Sequence, residues 1–427
     1  MHLNAEEQSM LSGEQGDLVR EAMRFLVTLG QAYDADRMLD ISYANVLIAS
    51  SFWGKGVFTL DLIREAVDSG IRTRVPTTFN NWGTGGFGTD ESIWERMDVP
   101  DRVRAQVIQE KEIARSLGIV PTETCAPYLL CGVGSVPSGA HISSVESSAI
   151  VYFNSVLGAR TNRDCLAPFF AAITGKYPEF GYHLDENRRG VCLVDVRTPI
   201  RDTLSYGLLG LYTGKLVGGE VPVFTGITEP TTEDLMELSA ALASSGSVTM
   251  FHIVGVTPEA PDLETAFGGH RPRETIAVTS DDLESVRNNV SDAEGMVDFV
   301  CLGCPHYSIY EVKRAAELLD GRRIQPEITL WICTAPQTAM FAEMAGYADT
   351  IREAGGTIMT GPGFCPLFSP GRPGPEYSFA HPEYSIGSFA TDAAKQAYYA
   401  RPNLRARHVF LGSAERCTEA AVVGEWR

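Results

Sequence analysis

Positive charge is scarce in this sequence, and long apolar runs are missing. Its 54 acidic residues outweigh 35 basic ones and leave a formal charge of −19. That balance argues against a polyanion partner, because neutralising phosphates takes clustered Lys and Arg. No apolar stretch approaches the roughly 18 residues needed to span a bilayer. Glu6 and Glu7 precede any apolar segment, so no secretory leader is expected. Nine cysteines in 427 residues are too few for a disulfide scaffold, and the odd count fits reduced thiols in the cytoplasm. Internal repeats and low-complexity blocks are missing. So are the P-loop, the G-x-S-x-G elbow, H-E-x-x-H and the EF-hand loop. Membrane span, nucleic-acid binder, secreted mini-domain and nucleotide-hydrolysing P-loop protein are set aside.

What is present is an ordinary globular composition punctuated by 41 Gly and 23 Pro. Apolar spacing predicts a helix over residues 5–29, another from about 102 to 117 and a third near 143–157. A β-branched strand is expected at Ile71–Val75. Later, strands at Val297–Cys301, Thr329–Cys333, Thr357–Thr360 and Val409–Leu411 alternate with helices, one opened by a Ser308/Glu311 capping box. The stretch 190–255 alternates more loosely and ends in the apolar run Val248–Val254. This pattern predicts an α/β fold of two to three lobes, with mostly parallel sheets flanked by helices. The expected divisions are 1–190, 191–260 and 261–427.

Cys125 in PTETCAPY, Cys304 in GCPH and Cys365 in GPGFCP each follow a predicted strand into a Gly- or Pro-stiffened loop. Ligands gather at that end of open α/β sheets. Three thiolates meeting there would form an incomplete cysteine set around iron; otherwise they are ordinary buried thiols. Cys301 and Cys304 form a single C-x-x-C, a zinc or redox spacing without a second pair. GTGGFG (Gly83–Gly88) matches G-x-G-x-x-G in poor context, so a nucleotide turn and a loop over a pocket both stay open. The segment His141–Arg163 gathers Glu146, Ser147 and Asn154, then Arg160, Asn162 and Arg163. Two arginines after a helix suit a carboxylate clamp, or are simply solvated. His252, near the end of an apolar run and before Glu259, is either a general acid–base or a core histidine.

Together these segments resemble the large, catalytic subunit of the aconitase X family, hydro-lyases related to aconitase. The matching runs include Met1–Gly16, VPTTFN (Val75–Asn80), TETCAPY, ESSAIVYFNSVLGARTNR and ITGKYPEFGYHLDENR (Ile173–Arg188). HIVGVTPEA, LGCPHYS, GPGFC and the segment around Lys395 complete the series. The resemblance implies an aconitase-like fold lacking the swivel domain. That domain would be a separate small subunit whose serine serves as the base. It implies an iron–sulfur cluster on Cys125, Cys304 and Cys365, either 2Fe-2S or 3Fe-4S/4Fe-4S. It further implies substrate contacts from Thr77, Thr78, Glu146, Ser147, Asn154, Arg160, Asn162 and Lys395. Of these, Glu146, Ser147 and Lys395 are assigned catalytic roles, while Arg163 and His252 join the substrate-binding set on the residue reading.

The expected activity is dehydration of a β-hydroxy carboxylate, cis-3-hydroxy-L-proline first, with mevalonate 5-phosphate or another substrate of a divergent member as the alternative. A non-catalytic iron–sulfur scaffold is the rival of another class. An anionic substrate also predicts a locally positive crevice near Cys304.

Overall fold

The computed structural model describes residues 1–47, 66–80, 101–130, 132, 136–164, 166–361, 387–404 and 406–427. Cys365, the GTGGFG loop and most of 45–56 lie outside them. Among the described residues the strands form three parallel sheets and two short antiparallel pairs. In the first sheet the order is Val120–Pro121, Thr77–Asn80, Ala44–Leu47 and Ser143–Ser144. The second runs Glu274–Val278, Cys192–Val196, Pro222–Thr225 and His252–Ile253. The third runs Thr357–Thr360, Thr329–Thr334, Phe299–Tyr307, Ser388–Thr391 and His408–Leu411. The α/β architecture expected from the alternation is what the chain adopts. The outer strand of the second sheet, Glu274–Val278, follows residue 260, the division read from the sequence. A parallel partner reached by a long crossover leaves no local mark.

Local chemistry explains several elements. Ser308 caps helix Ile309–Leu319, and its hydroxyl and Glu311 form the reciprocal capping box. The expected first helix is two, Ala5–Ser12 and Asp17–Ala32, because Gly13 takes the left-handed conformation that ends the first. The strand expected at Ile71–Val75 instead forms after Pro76, where Thr77–Asn80 finds partners on both sides. Only His252–Ile253 of the apolar run Val248–Val254 pairs into a sheet.

Helices Thr203–Val217 and Thr232–Gly246 pack together over the middle sheet. Their core continues into all three regions through Phe153, Phe224, Leu238, Phe389 and Ala394. Separate cores lie under the first sheet, around Leu26, Phe79 and Phe169, and under the third, around Ile332, Phe410 and Trp426. No helix among the described residues is long and apolar enough to cross a membrane.

Candidate active site

The carboxyl ends of the first and third sheets meet. Asn80 is the last residue of its strand, Glu146 stands two residues past Ser143–Ser144, and Cys125 lies shortly after Val120–Pro121. From the third sheet come Cys304, on Phe299–Tyr307, and Lys395, just past Ser388–Thr391. Contacts across the gap join them. The His306 N–H donates to Cys125 Sγ at 3.3 Å, and Thr124 Oγ1 lies 3.0 Å from His306 Nδ1. Lys395 Nζ stands 4.0 Å from Glu146 Oε1. Burial pushes the His306 imidazole down to about 4, so it is neutral at pH 7.

Cys304 sits inside its strand, not in a loop beyond it. Pairing with the neighbouring strand is regular up to Leu302, breaks, and resumes at Tyr307. Gly303 makes the break possible: φ is +95°, and a Cβ there would lie 2.3 Å from the Cys333 carbonyl oxygen. The Cys301 sulfur lies 3.6 Å from that of Cys333 on the neighbouring strand, so its sulfur contact is across the sheet.

Around Glu146 the polar groups are incompletely satisfied. Glu146 is 4% exposed and accepts from Asn80 Nδ2 at 3.2 Å and from the Ser148 hydroxyl at 3.4 Å. Thr78 accepts from Asn45 Nδ2 at 2.9 Å, and Thr77 Oγ1 donates to the Val75 carbonyl. The buried Asn45 Oδ1, Asn80 Oδ1 and Ser144 Oγ have no hydrogen-bond partner among the described residues. Such atoms cost free energy unless something else bonds them. Asn80 and Ser144 escape the sequence reading, although Asn80 closes the VPTTFN run. Ser147 opens the helix Ser147–Ser155, half-buried beside Glu146.

Of the other expected binding residues, Asn154, Arg160, Asn162 and His252 lie around Arg188 or the chain just before it, and Arg163 stands apart. Asn154 Nδ2 donates to the carbonyls of Thr161 and Thr249, and its Oδ1 accepts from the Thr161 N–H and Arg188. Its amide is fully occupied. Asn162 bonds Tyr177, Phe180 and Tyr182. The Arg160 guanidinium meets the His183 carbonyl and Asp185, and Arg163 Nη1 donates to the Ala243 carbonyl. His252 Nε2 donates to the Arg188 carbonyl at 2.7 Å, while Glu259 pairs with the Arg188 guanidinium at 2.5 Å. Arg188 itself is 3% exposed. It closes the Ile173–Arg188 run, and its half-buried ion pair is invisible until the fold brings Glu259 to it.

Beside Cys304 lies a cavity lined by Glu233, Glu237, Glu311, Asp392, Met236 and Tyr307. The locally positive crevice expected there is instead rich in carboxyls. Burial pushes Glu237 up to about 8, Asp392 up to about 6 and Glu311 well above the carboxylate range. Glu237, Asp392 and Glu311 therefore hold their protons more firmly than solvated acids, which lets them share one cavity.

Comparison with known proteins matches this arrangement to a family. Residues 1–186, 190–288 and 297–423 match the first, second and third domains of aconitase X. The chain belongs to the aconitase X family. It is 39% identical, over 84% of its length and 87% of the relative's, to the phosphomevalonate dehydratase large subunit of Methanothermobacter thermautotrophicus. It is 36% identical to the cis-3-hydroxy-L-proline dehydratase of Pseudomonas aeruginosa, over 99% of this chain and 70% of that one. The crystal structure of Thermococcus kodakaraensis aconitase X, in its holo-form, superposes with a TM-score of 0.80 at 33% identity. That match covers 99% of this aconitase X chain and 100% of the other. The named relatives are dehydratases, that is, hydro-lyases.

An aconitase-like family suggests an iron–sulfur cluster, and the thiols bear on that directly. Cys125 and Cys304 are 4% and 5% exposed, come from facing sheets, and the Cys125 sulfur already accepts a backbone N–H. Those are features of thiolate ligands. The described residues contain no group of three metal-binding side chains. The third expected ligand, Cys365, lies outside them.

Proposed function

We propose that this chain is the catalytic subunit of an iron–sulfur hydro-lyase that removes water from cis-3-hydroxy-L-proline. One observation carries the reading: the buried Glu146–Lys395 pair stands at facing sheet ends beside Asn45 Oδ1, Asn80 Oδ1 and Ser144 Oγ, which find no partner among the described residues. Two carbonyl-type acceptors suit the ring ammonium of a hydroxyproline, and Lys395 suits its carboxylate. A phosphate would instead call for several cations. Alignment over 99% of this chain with a cis-3-hydroxy-L-proline dehydratase supports the same substrate. The 39% identity to a phosphomevalonate dehydratase large subunit favours mevalonate 5-phosphate as the second reading.

Cys125, Cys304 and Cys365 would hold the cluster, which when bound supplies a Lewis-acidic iron for the departing hydroxyl. Asn80 and Ser148 fix the Glu146 carboxyl, and that carboxyl in turn orients the Lys395 ammonium. As the α-proton leaves, negative charge grows on the substrate carboxylate, and Lys395 offsets it. We assign the base to a serine of a small swivel-domain subunit, in keeping with relatives named as large subunits. That subunit would also close over the bound substrate and exclude water. The buried free thiols Cys192, Cys301, Cys333 and Cys417 support a reducing, cytoplasmic setting.

The test is an anaerobic preparation, with and without the small subunit, assayed on cis-3-hydroxy-L-proline and mevalonate 5-phosphate. Water loss from the first with both polypeptides present is expected. Turnover of the second alone would reverse the substrate order. No turnover of either, from a cluster-loaded complex, would leave the scaffold reading standing.

A further inference from the structure

Helix Ala394–Tyr399, which carries Lys395, is too short to hold itself together. Its N-cap residue is Ala393, whose side chain has no oxygen to accept the first N–H groups. The Thr391 hydroxyl takes the Ala393 N–H at 3.1 Å. The next N–H, of Ala394, is taken by Glu237 Oε1 at 2.6 Å, from helix Thr232–Gly246. Glu237 is 3% exposed, and burying a carboxyl is expensive unless it is bonded. A third element leaves room for it. At Gly207, on helix Thr203–Val217, a Cβ would lie 2.6 Å from Glu237 Oε1 and 2.7 Å from Ala394 Cβ.

We infer that Glu237 is a positioning residue for Lys395: its carboxyl anchors the first turn of the lysine's helix and so sets where the ammonium stands relative to Glu146. This rests on the reading that Lys395 acts on the substrate. Gly207 serves the same end by its lack of a side chain, letting two long helices and one short one close on a single carboxyl. A displacement of about 1 Å at a reacting group can cost on the order of 100-fold in rate, so such an anchor has a catalytic consequence without touching substrate.

The experiment compares Glu237→Gln, Glu237→Met and Gly207→Ala in the assembled complex. Two readouts are taken: kcat and KM on cis-3-hydroxy-L-proline, and the rate at which acetic anhydride acylates Lys395, followed by peptide mass spectrometry. Glu237→Met and Gly207→Ala are expected to lower kcat by about 10–100-fold with a smaller change in KM. Both should change the Lys395 acylation rate several-fold while exposed Lys313 is unaffected. Glu237→Gln keeps an acceptor for the Ala394 N–H and should restore both readouts to near wild type. If Gln is as damaging as Met, the carboxyl acts through its proton or charge, and the positioning role is overturned. Unchanged acylation and kcat in both Met and Gly207→Ala would overturn it equally. Lys395→Met, run alongside, separates the two ideas. Should it leave kcat and KM unaltered, the role of Lys395 in catalysis fails, while the acylation rates still decide whether Glu237 places it.

Discussion

Residues Glu146 to Arg163 are one run of sequence but serve two regions of unlike chemistry. At its start, Glu146 faces Lys395 among buried atoms that no group of the described residues satisfies. At its end, Asn154, Arg160 and Asn162 bond to protein groups, with Arg188 at the centre. Both regions are polar, and Asn154 and Glu146 are buried alike, so residue type and burial do not separate them. Unmet hydrogen-bonding capacity does. The first region holds atoms that a ligand can complete, whereas the second is a joint that ties the first sheet's loops to the middle region.

Exchanging function for stability between these regions would break the comparison. The largest effect is expected from Lys395→Met, which should reduce kcat/KM by about 10²–10⁴-fold, the usual range for a lost acid–base or charge-stabilising group, with little change in melting temperature. An intact rate would empty the first region of its role. Arg188→Ala should do the reverse. Removing its guanidinium strands the acceptors on Asn154 and Tyr182 and unpairs Glu259, which is 29% exposed, at a cost on the order of 3 kcal/mol read by denaturant unfolding. Asn154→Ala, which strands the Thr161 N–H and part of Arg188, should cost about 1–3 kcal/mol in the same assay. Its KM should stay within error, and a KM rise that outweighs the stability loss would move Asn154 to the substrate.

Acid should act on the two sides with opposite signs. Burial holds His183 and His252 below their ordinary 6.5, so in the folded chain they resist protonation. The stability they contribute is present above about 6.5 and is lost as pH falls, because the unfolded chain then binds more protons. On the other side Glu237, raised from 4.5 to about 8, keeps its proton when folded, so its stability contribution is lost as pH rises through that window. Thermal melts between pH 5.5 and 8.5 should therefore show His183→Gln losing part of the acid-side decline and Glu237→Gln losing part of the alkaline one. Identical slopes in the two variants would refute the assignment. The smallest effect is expected at Arg160, whose partner Asp185 is 78% exposed. Arg160→Ala should change stability by under about 1 kcal/mol. A raised KM there would restore the arginine clamp read from the sequence.

Much of the fold is legible where signals are local. The Ser308/Glu311 box, strand Thr357–Thr360 and helix Asp101–Ser116 need only their own residues and near neighbours. Strand placement fails where partners are distant. Val248–Val254 is mostly apolar, yet only two of its residues find the strand Pro222–Thr225, and Glu274–Val278 joins the middle sheet from beyond the expected division. The site divides in the same way. Cys125 and Glu146 stand in motifs that can be read directly and Lys395 comes only through the family resemblance, whereas Asn80, Arg188 and Glu237 look unremarkable until folded.

By itself, the sequence determined the alternation that makes parallel sheets, the family, and which side chains can carry chemistry. The tertiary structure alone decided which of them meet: that Lys395 faces Glu146, that Arg188 consumes Asn154, and that a carboxyl from a distant helix caps the lysine's own. The reason is physical. Helix caps and turns are short-range and follow from adjacent residues, but the satisfaction of a buried polar atom depends on groups brought together across hundreds of residues by packing, and that closure leaves no periodic trace in the chain.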